Sequence, residues 1–141
     1  MKARIKWIEG VAFVATADSG HAIVLDGAPE HGGRNLGIRP MEAVLIGAGA
    51  CSAFDVVTIL RKARQTVVDC VVELKAQRAP EPPRSFTRID MHYVVSGRNL
   101  SDARVRRAVA LSAEKYCSAT AMLRHTVEIR HDYRIVECAA D

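Results

Sequence analysis

The stretch GIRPMEAVLIGAGACSAFDVVTILRK, from Gly37 to Lys62, decides the fold. Pro40 stands where a first helical residue is favoured, so this stretch predicts a helix over 40–65. In the first half of that helix, Glu42 is the only ionisable residue besides Cys51, and most of the others are Ala, Gly, Leu, Ile or Val. A helix that is apolar nearly all round is buried on every side.

A second copy of the chain is the predicted cover for this helix. One sheet of a domain this small cannot wrap a helix completely, so part of the helix surface needs a partner. Gly47 and Gly49 each cost about 1 kcal/mol of helix propensity relative to Ala, and close approach of another backbone would offset that cost. We therefore expect a homodimer with these helices in the interface.

The remaining residues predict strands and one further long helix, in a single domain over 1–141. The predicted strands are short alternating runs separated by Gly- and Pro-rich segments. The expected order is N-terminal strands 1–26, loop 27–39, the cysteine helix 40–65, strands 66–96, a second cysteine helix 101–117, a short helical piece 118–125 and a final strand 126–137. Since strands and helices do not alternate strictly, the fold class is α+β.

Composition and charge exclude several classes of partner. The 141 residues carry a formal net charge of +4 and 5% aromatics, and the basic residues are spread out, so a nucleic-acid surface is not expected. The N-terminal MKARIKWIEG lacks an apolar core of secretory length. The longest apolar run, 43–50, is too short to span a bilayer. We expect a cytoplasmic protein without a membrane or nucleic-acid partner.

The cysteines of such a protein are expected to be free thiols, because disulfides are rare in the cytoplasm. There are four of them: Cys51, Cys70, Cys117 and Cys138. None has the CxxC spacing of cysteine-based zinc sites, and the nearest two are 19 residues apart. No metal site is therefore predicted.

Cys51 has two interpretations. A free cysteine in an Ala- and Gly-rich helix is often a small buried hydrophobe. As a reactive thiol it would need help, because it lies eleven residues past Pro40, too far for the helix N-terminus to stabilise a thiolate. Asp55, one turn later, would repel a thiolate. A reactive Cys51 therefore requires a cation brought in from elsewhere.

Two segments together resemble the OsmC/Ohr family, the osmotically induced and organic hydroperoxide resistance proteins. In RPMEAVLIGAGACSAFDVVTILRK a Gly- and Ala-rich helix carries Cys51, and in AVALSAEKYCSATAML Cys117 ends a later helix. The likeness extends over nearly the whole chain. The sequences P-M-E and K-Y-C-S are most similar to the YhfA-like branch of the family.

The resemblance implies an intertwined α+β homodimer with antiparallel sheets, two central helices and active sites at the subunit interface. It also implies thiol-dependent reduction of organic hydroperoxides, with Cys51 as the attacking (peroxidatic) thiolate and Cys117 as the resolving thiol. A dithiol such as a lipoylated protein would reduce the resulting disulfide. No metal or bound organic cofactor is implied.

One departure from the family motif concerns activation of the thiolate. The efficient peroxidases of the family carry a Glu directly after the helix-opening Pro, where it holds an activating Arg. Here that position is Met41, and Glu42 is shifted by one residue, which turns a side chain by about 100° on a helix. Arg34 and Arg39, in the loop before the helix, are the candidate replacements for the family arginine.

A non-catalytic function is the alternative. An OsmC-like protein without the family Glu could hold a small lipophilic ligand in an apolar interfacial pocket, with its cysteines as relics or redox sensors. Cys70 and Cys138 lie in predicted strands and are not expected to take part in the chemistry. Oxidation of the thiols by a hydroperoxide would distinguish the two functions.

Overall fold

The computed structural model describes residues 1–139 and divides into two compact units, Met1–Val44 and the chain from Leu45 onward. Each unit contains a three-stranded sheet. The predicted single domain over 1–141 stays a prediction.

The first unit is an antiparallel sheet followed by a loop. Strands β1 (Ala3–Glu9), β2 (Ala12–Ala17) and β3 (Ala22–Leu25) pair in the order β1-β2-β3. Gly10 and Gly20 turn the chain between them with positive φ angles of 53° and 84°, which glycine adopts at no steric cost. The three strands lie within the N-terminal segment where alternating apolar residues predicted them.

Asp26 organises the loop that follows this sheet. It is 2% exposed, and its carboxylate accepts hydrogen bonds from the backbone N–H groups of Gly27, Arg34 and Leu36 at 2.7, 3.0 and 3.0 Å. These bonds, above all that from Leu36, hold the pKa of Asp26 below its ordinary value. One buried carboxylate thus helps to fix a segment that contains a 3₁₀ turn at Pro29–His31 and an isolated parallel bridge between Leu25 and Ile38.

Helix α1 spans Pro40–Lys62, so it begins as predicted and ends three residues before the predicted end at 65. In its first turn, Glu42 accepts a hydrogen bond from the backbone N–H of Arg39 at 2.8 Å, as in a capping box. Beyond its last turn, Arg64 adopts a positive φ of 58°, and a left-handed residue of this kind ends a helix.

One stripe of α1 is buried. Ala48, Ser52, Val56 and Leu60 recur every four residues and are at most 1% exposed. By length and composition α1 could cross a bilayer, because an 18-residue window of it has a mean hydropathy of 2.0. No continuous apolar run in this helix exceeds eight residues. Only 28% of that window is buried inside the described chain. A core helix of a soluble protein has the same composition.

The two glycines of α1 meet different surroundings. A Cβ at Gly49 would come within 2.6 Å of a side-chain carbon of Leu74. The absence of a Cβ at Gly49 therefore makes room for the Leu74 side chain of the same chain. At Gly47, nothing in the described chain lies within 4 Å of that position. The expectation that both glycines admit a partner backbone is therefore wrong for Gly49 and stays a prediction for Gly47.

The second unit is built on a mixed sheet. Strands β4 (Thr66–Arg78), β5 (Phe86–Arg98) and β6 (Glu128–Glu137) pair in the order β4-β5-β6. β4 and β5 are antiparallel, whereas β5 and β6 are parallel. The prediction of antiparallel sheets is thus confirmed for the first sheet, whereas the second sheet also contains the parallel pair β5 and β6. The helical connection from β5 to β6 crosses back over the sheet, which lets β6 run parallel to β5.

This connection contains two helices and a wide turn between them. They are α2 (Asp102–Leu111), a π turn (Ser112–Tyr116) and α3 (Ser118–Leu123). The predicted helix 101–117 therefore ends early. Cys117 has extended φ and ψ angles of −70° and 106° and is the N-cap residue of α3. π turns inside helices are frequent at functional sites.

The core of the second unit is lined by the inner face of its sheet. Successive side chains of a strand point to opposite faces, and on β5 the inward residues are Ile89, Met91, Tyr93 and Val95, each at most 1% exposed. Leu60 of α1 and Val105 of α2 are also fully buried. Burial of one such aliphatic side chain contributes about 1.5–3 kcal/mol to stability.

Candidate active site

Cys51 lies in the middle of α1 and is partly exposed. The next residue, Ser52, is fully buried and belongs to a polar cluster that joins α1 to β5 and to the π turn. Its Oγ is hydrogen-bonded to the hydroxyl of Tyr93 and to Oγ of Ser112, the latter at 2.8 Å. The Tyr93 hydroxyl in turn donates to the Met91 sulfur at 3.7 Å. The cluster thus fixes the helix turn that carries Cys51.

Tyr93 is a neutral phenol in this cluster. Burial raises the pKa of Tyr93 to about 12, and the hydrogen bond to Ser52 offsets part of that rise. Cys117 and Asp55 add to the rise as nearby acidic groups. Tyr93 therefore supports the site through hydrogen bonds and carries no charge at neutral pH.

Cys117 is 2% exposed and stands at the start of α3. The backbone N–H of Thr120 points at its Sγ at 3.5 Å, and the Thr120 hydroxyl donates to the Cys117 carbonyl at 3.1 Å. Burial raises the pKa of the Cys117 thiol; Thr120 lowers it, and the neighbouring Cys51 raises it further. Cys117 is therefore held as a protonated, shielded thiol.

The structure brings together the two cysteines of the family motif. The Sγ atoms of Cys51 and Cys117 and a carboxylate oxygen of Asp55 all lie within 4.8 Å of one another. Cys51 and Asp55 are four residues apart, so they share one face of α1.

Asp55 stands out in this group. Its Oδ2 is buried and has no hydrogen-bond partner within residues 1–139. Nearly all buried polar atoms in proteins are paired, and leaving one unpaired costs about 1–3 kcal/mol. A carboxylate that has one unpaired oxygen and lies beside two thiols suggests a function beyond packing.

The three residues considered for support of the Cys51 thiolate, Glu42, Arg34 and Arg39, all have partners in the first unit. Arg34 forms an ion pair with Glu9. The Arg39 guanidinium donates to the side chain of Asn35 at 2.9 Å and to a backbone carbonyl, and Glu42 caps α1. Each residue thus has a structural role within its own unit, and its support of the thiolate stays a prediction.

The other two cysteines lie apart from this group. Cys70 is on β4, where burial and then the neighbouring Asp69 raise the pKa of its thiol. Cys138 follows β6, and its backbone N–H donates to the Gly97 carbonyl at 2.8 Å. All four cysteines are free thiols. Cys138 therefore offers a matched control for experiments on the pair.

Comparison with known proteins identifies the family. The profile of OsmC-like proteins matches residues 32–132. The chain belongs to the OsmC family. It is 52% identical to Protein YhfA of Escherichia coli strain K12 over 139 residues, which cover 96% of this chain and 98% of that protein. The resemblance to the OsmC/Ohr family and its YhfA-like branch is thereby confirmed.

Solved structures share the OsmC-like fold. A hypothetical protein from Aquifex aeolicus VF5 is similar with a TM-score of 0.86 at 28% identity, covering 98% of this chain and 97% of that one. An organic hydroperoxide resistance protein OsmC from Legionella pneumophila has a TM-score of 0.72 at 17% identity over 94% of each chain. The predicted α+β fold is therefore confirmed. Proteins of the OsmC family are soluble and generally dimeric.

Four residues that build this OsmC-family site were not among the predicted ones. They are Ser52, Tyr93, Ser112 and Thr120. A small polar residue within an apolar helical run, as Ser112 is in AVALSAEK, would have been the available signal. Nothing in the spacing of the residues indicated that Tyr93 reaches α1, because 41 residues separate it from Ser52.

Proposed function

We propose that this chain reduces organic hydroperoxides with the thiols of Cys51 and Cys117, as part of a cytoplasmic homodimer. The observation that carries the proposal is the approach of the two thiols to within 4.8 Å. Membership of the OsmC family supports it, since the family fold includes a Legionella protein named for organic hydroperoxide resistance.

Exposure and protonation favour one assignment of roles. Cys51 is partly exposed, so its sulfur can meet a hydroperoxide. Cys117 is 2% exposed, and burial raises the pKa of its thiol. A shielded, protonated thiol suits the resolving role, because it needs to meet only the neighbouring sulfur. Cys51 is therefore the attacking thiol and Cys117 the resolving one.

The reaction consumes one hydroperoxide and two thiols. The Cys51 thiolate attacks the terminal oxygen of the hydroperoxide, which forms an S–O bond and breaks the O–O bond; the leaving alkoxide takes a proton and departs as an alcohol. The Cys117 thiol then attacks the sulfenic acid sulfur, forms the disulfide and releases water. A dithiol such as a lipoylated protein restores both thiols by exchange.

The homodimer is inferred from the bare side of α1. Ile46 and Phe54 are 51% and 72% exposed, and Gly47 leaves open space. Contiguous exposed apolar surface marks an interaction site, and a second copy of the helix would cover it. A Cys51 thiolate requires a nearby cation, and Arg34 and Arg39 are the candidates for it. We expect this cation to reach Cys51 in the assembled dimer.

Thiol titration and intact mass, before and after one equivalent of cumene hydroperoxide, test the proposal. The wild type should lose two thiols within seconds. Cys51→Ser should lose none, and Cys117→Ser should stop at a sulfenic acid that dimedone traps. Cys138→Ser is the matched control and should retain rapid loss of two thiols.

Oxidation that takes hours and is unchanged in Cys51→Ser would overturn the peroxidase proposal. One observation favours a second function in that case, the binding of a small lipophilic ligand. A groove of about 550 Å³ is lined by Val109, Val127 and Ile129, together with the charged residues Glu114, Arg124 and Glu128. Saturable binding of a fluorescent fatty-acid analogue, weakened by Val109→Glu, would support it; no saturable binding would exclude it.

A further inference from the structure

The group Cys51, Asp55 and Cys117 has a feature that hydroperoxide reduction leaves unexplained. Two thiols account for the redox chemistry, yet a carboxylate oxygen lies within 4.8 Å of both sulfurs. A carboxylate disfavours an adjacent thiolate by like-charge repulsion. Its presence therefore works against an isolated peroxidatic cysteine.

The unpaired oxygen of Asp55 is the second observation. Its Oδ2 is buried and lacks a hydrogen-bond partner among residues 1–139. Three groups that can each carry a negative charge thus converge on one point, and one of them has an open acceptor. A cation at that point would pair the carboxylate and remove the repulsion between it and the sulfurs.

We propose that Cys51, Asp55 and Cys117 form a binding site for a thiophilic divalent cation such as Zn²⁺. Thiolates and carboxylates are established zinc ligands, with bonds of about 2.3 Å to sulfur and 2.0–2.2 Å to oxygen. In a tetrahedral site these bonds place two sulfurs about 3.8 Å apart, which agrees with atoms that already lie within 4.8 Å. Three protein ligands leave the fourth position to water.

The surroundings suit such a cation. The Thr120 N–H directed at Cys117 Sγ is the kind of outer hydrogen bond that orients a metal ligand. Each thiol loses its proton to solvent on binding the cation, because a coordinating thiol is deprotonated. Two sulfur ligands favour Zn²⁺ over Mg²⁺ or Ca²⁺, which prefer oxygen.

The sequence predicts no metal site because no two cysteines are close together in it. In the structure, one turn of α1 supplies Cys51 and Asp55, and Cys117 joins them from 66 residues further along. Sulfur that holds a cation cannot at the same time form a disulfide. Metal binding and hydroperoxide reduction should therefore exclude each other.

Titration of the reduced, chelator-treated protein with Co²⁺ tests this site in the absence of hydroperoxide. We expect one Co²⁺ per chain, with thiolate-to-cobalt charge-transfer absorption that one equivalent of Zn²⁺ removes. Cys51→Ser should abolish the absorption, and the near-isosteric Asp55→Asn should weaken binding by at least about tenfold. Cys138→Ser is the control and should bind like the wild type.

Three results would overturn the proposal. They are absence of the charge-transfer absorption in the wild type, equal binding by Asp55→Asn, and loss of binding in Cys138→Ser. Far-UV circular dichroism of each variant confirms that the fold is retained. Because Asp55→Asn keeps the shape of the side chain, the test does not depend on whether a variant at the buried Cys117 folds.

The two proposals fail separately. Thiol loss in the metal-free protein reports on hydroperoxide reduction, and the cobalt absorption of the reduced protein reports on the metal site. If both proposals hold, Zn²⁺ should slow thiol loss at least tenfold, and oxidation of the pair should release the bound cation. Rapid thiol loss at an unchanged rate in the zinc-loaded protein would contradict the shared site.

Discussion

Helix α1 has two faces that differ in what covers them. On one face Ala48, Ser52, Val56 and Leu60 are at most 1% exposed, because the second unit covers them. On the opposite face Ile46 and Phe54, with Gly47 between them on the helix surface, are half or more exposed. Both faces are apolar in sequence, so composition alone does not separate them.

The difference explains where the thiol lies. At about 100° per residue, Cys51 falls on the flank of α1 between the buried and the bare face. From that flank it approaches Cys117 of its own chain while its sulfur stays partly exposed. A partner helix on the bare face would therefore close the site from the other side.

Phe54→Glu places a charge on the bare face of α1, and we expect it to have the largest effect, a weakening of the dimer. A charge buried without a partner costs about 3–5 kcal/mol, which raises the dimer dissociation constant by at least about a hundredfold. Sedimentation equilibrium under reducing conditions measures it. Thr87→Glu, which adds the same charge at an exposed position of β5, should leave the dimer intact. A Phe54→Glu protein that remains dimeric would show that this face is not the interface.

Leu60→Ala removes a side chain from the buried face of α1. Leu60 is fully buried, and removal of such a side chain lowers the free energy of unfolding by about 2–5 kcal/mol. Urea unfolding at one fixed protein concentration measures the loss. Ile46→Ala, a truncation of equal size on the bare face, should mainly weaken dimerisation, whereas Leu60→Ala should leave it unchanged. Equal effects of both variants on both quantities would contradict the distinction between the faces.

Local pattern was sufficient to predict α1, whereas the approach of Cys51 to Cys117 was implied only by the family resemblance. The start of α1 at Pro40 is local chemistry, and the two cysteine segments carry the family resemblance. The parallel pairing of β6 was not predictable, because it depends on where a long connection returns over the sheet. The break before Cys117 was missed for a similar reason, since LSAEKYC is a good helical sequence until packing imposes the π turn.

Tyr93→Phe sharpens the comparison within the buried face. It removes the hydroxyl that meets Ser52, while Ser52 keeps its hydrogen bond to Ser112. A buried hydrogen bond of this kind contributes about 0.5–1.5 kcal/mol, and urea unfolding should show a loss in that range. Tyr133→Phe, which deletes a hydroxyl bonded to the exposed carboxylate of Asp102 at 2.8 Å, should cost less. A larger loss for Tyr133→Phe would mean that the buried cluster is not tightly coupled to α1.

The smallest expected effect is the contribution of His131, beside Tyr93, to the pH dependence of stability. The two rings stack with centroids 6.1 Å apart, and His131 Nε2 is buried with no hydrogen-bond partner among the described residues. Burial lowers the pKa of His131 below its ordinary value of 6.5. As the pH falls, the unfolded chain therefore takes up a proton on His131 before the native chain does. The contribution of uncharged His131 to the free energy of unfolding is full above about pH 6.5 and is lost as the pH drops through the lowered pKa.

The expected result is a free energy of unfolding that decreases as the pH falls below about 6.5, with a shallower decrease in His131→Gln. His125→Gln removes an exposed imidazole and should follow the wild type. Urea unfolding at matched ionic strength measures all three proteins. If His131→Gln keeps the full decrease, the imidazole is hydrated in the native state. If the decrease is halved or more, His131 is buried as an uncharged imidazole beside Tyr93.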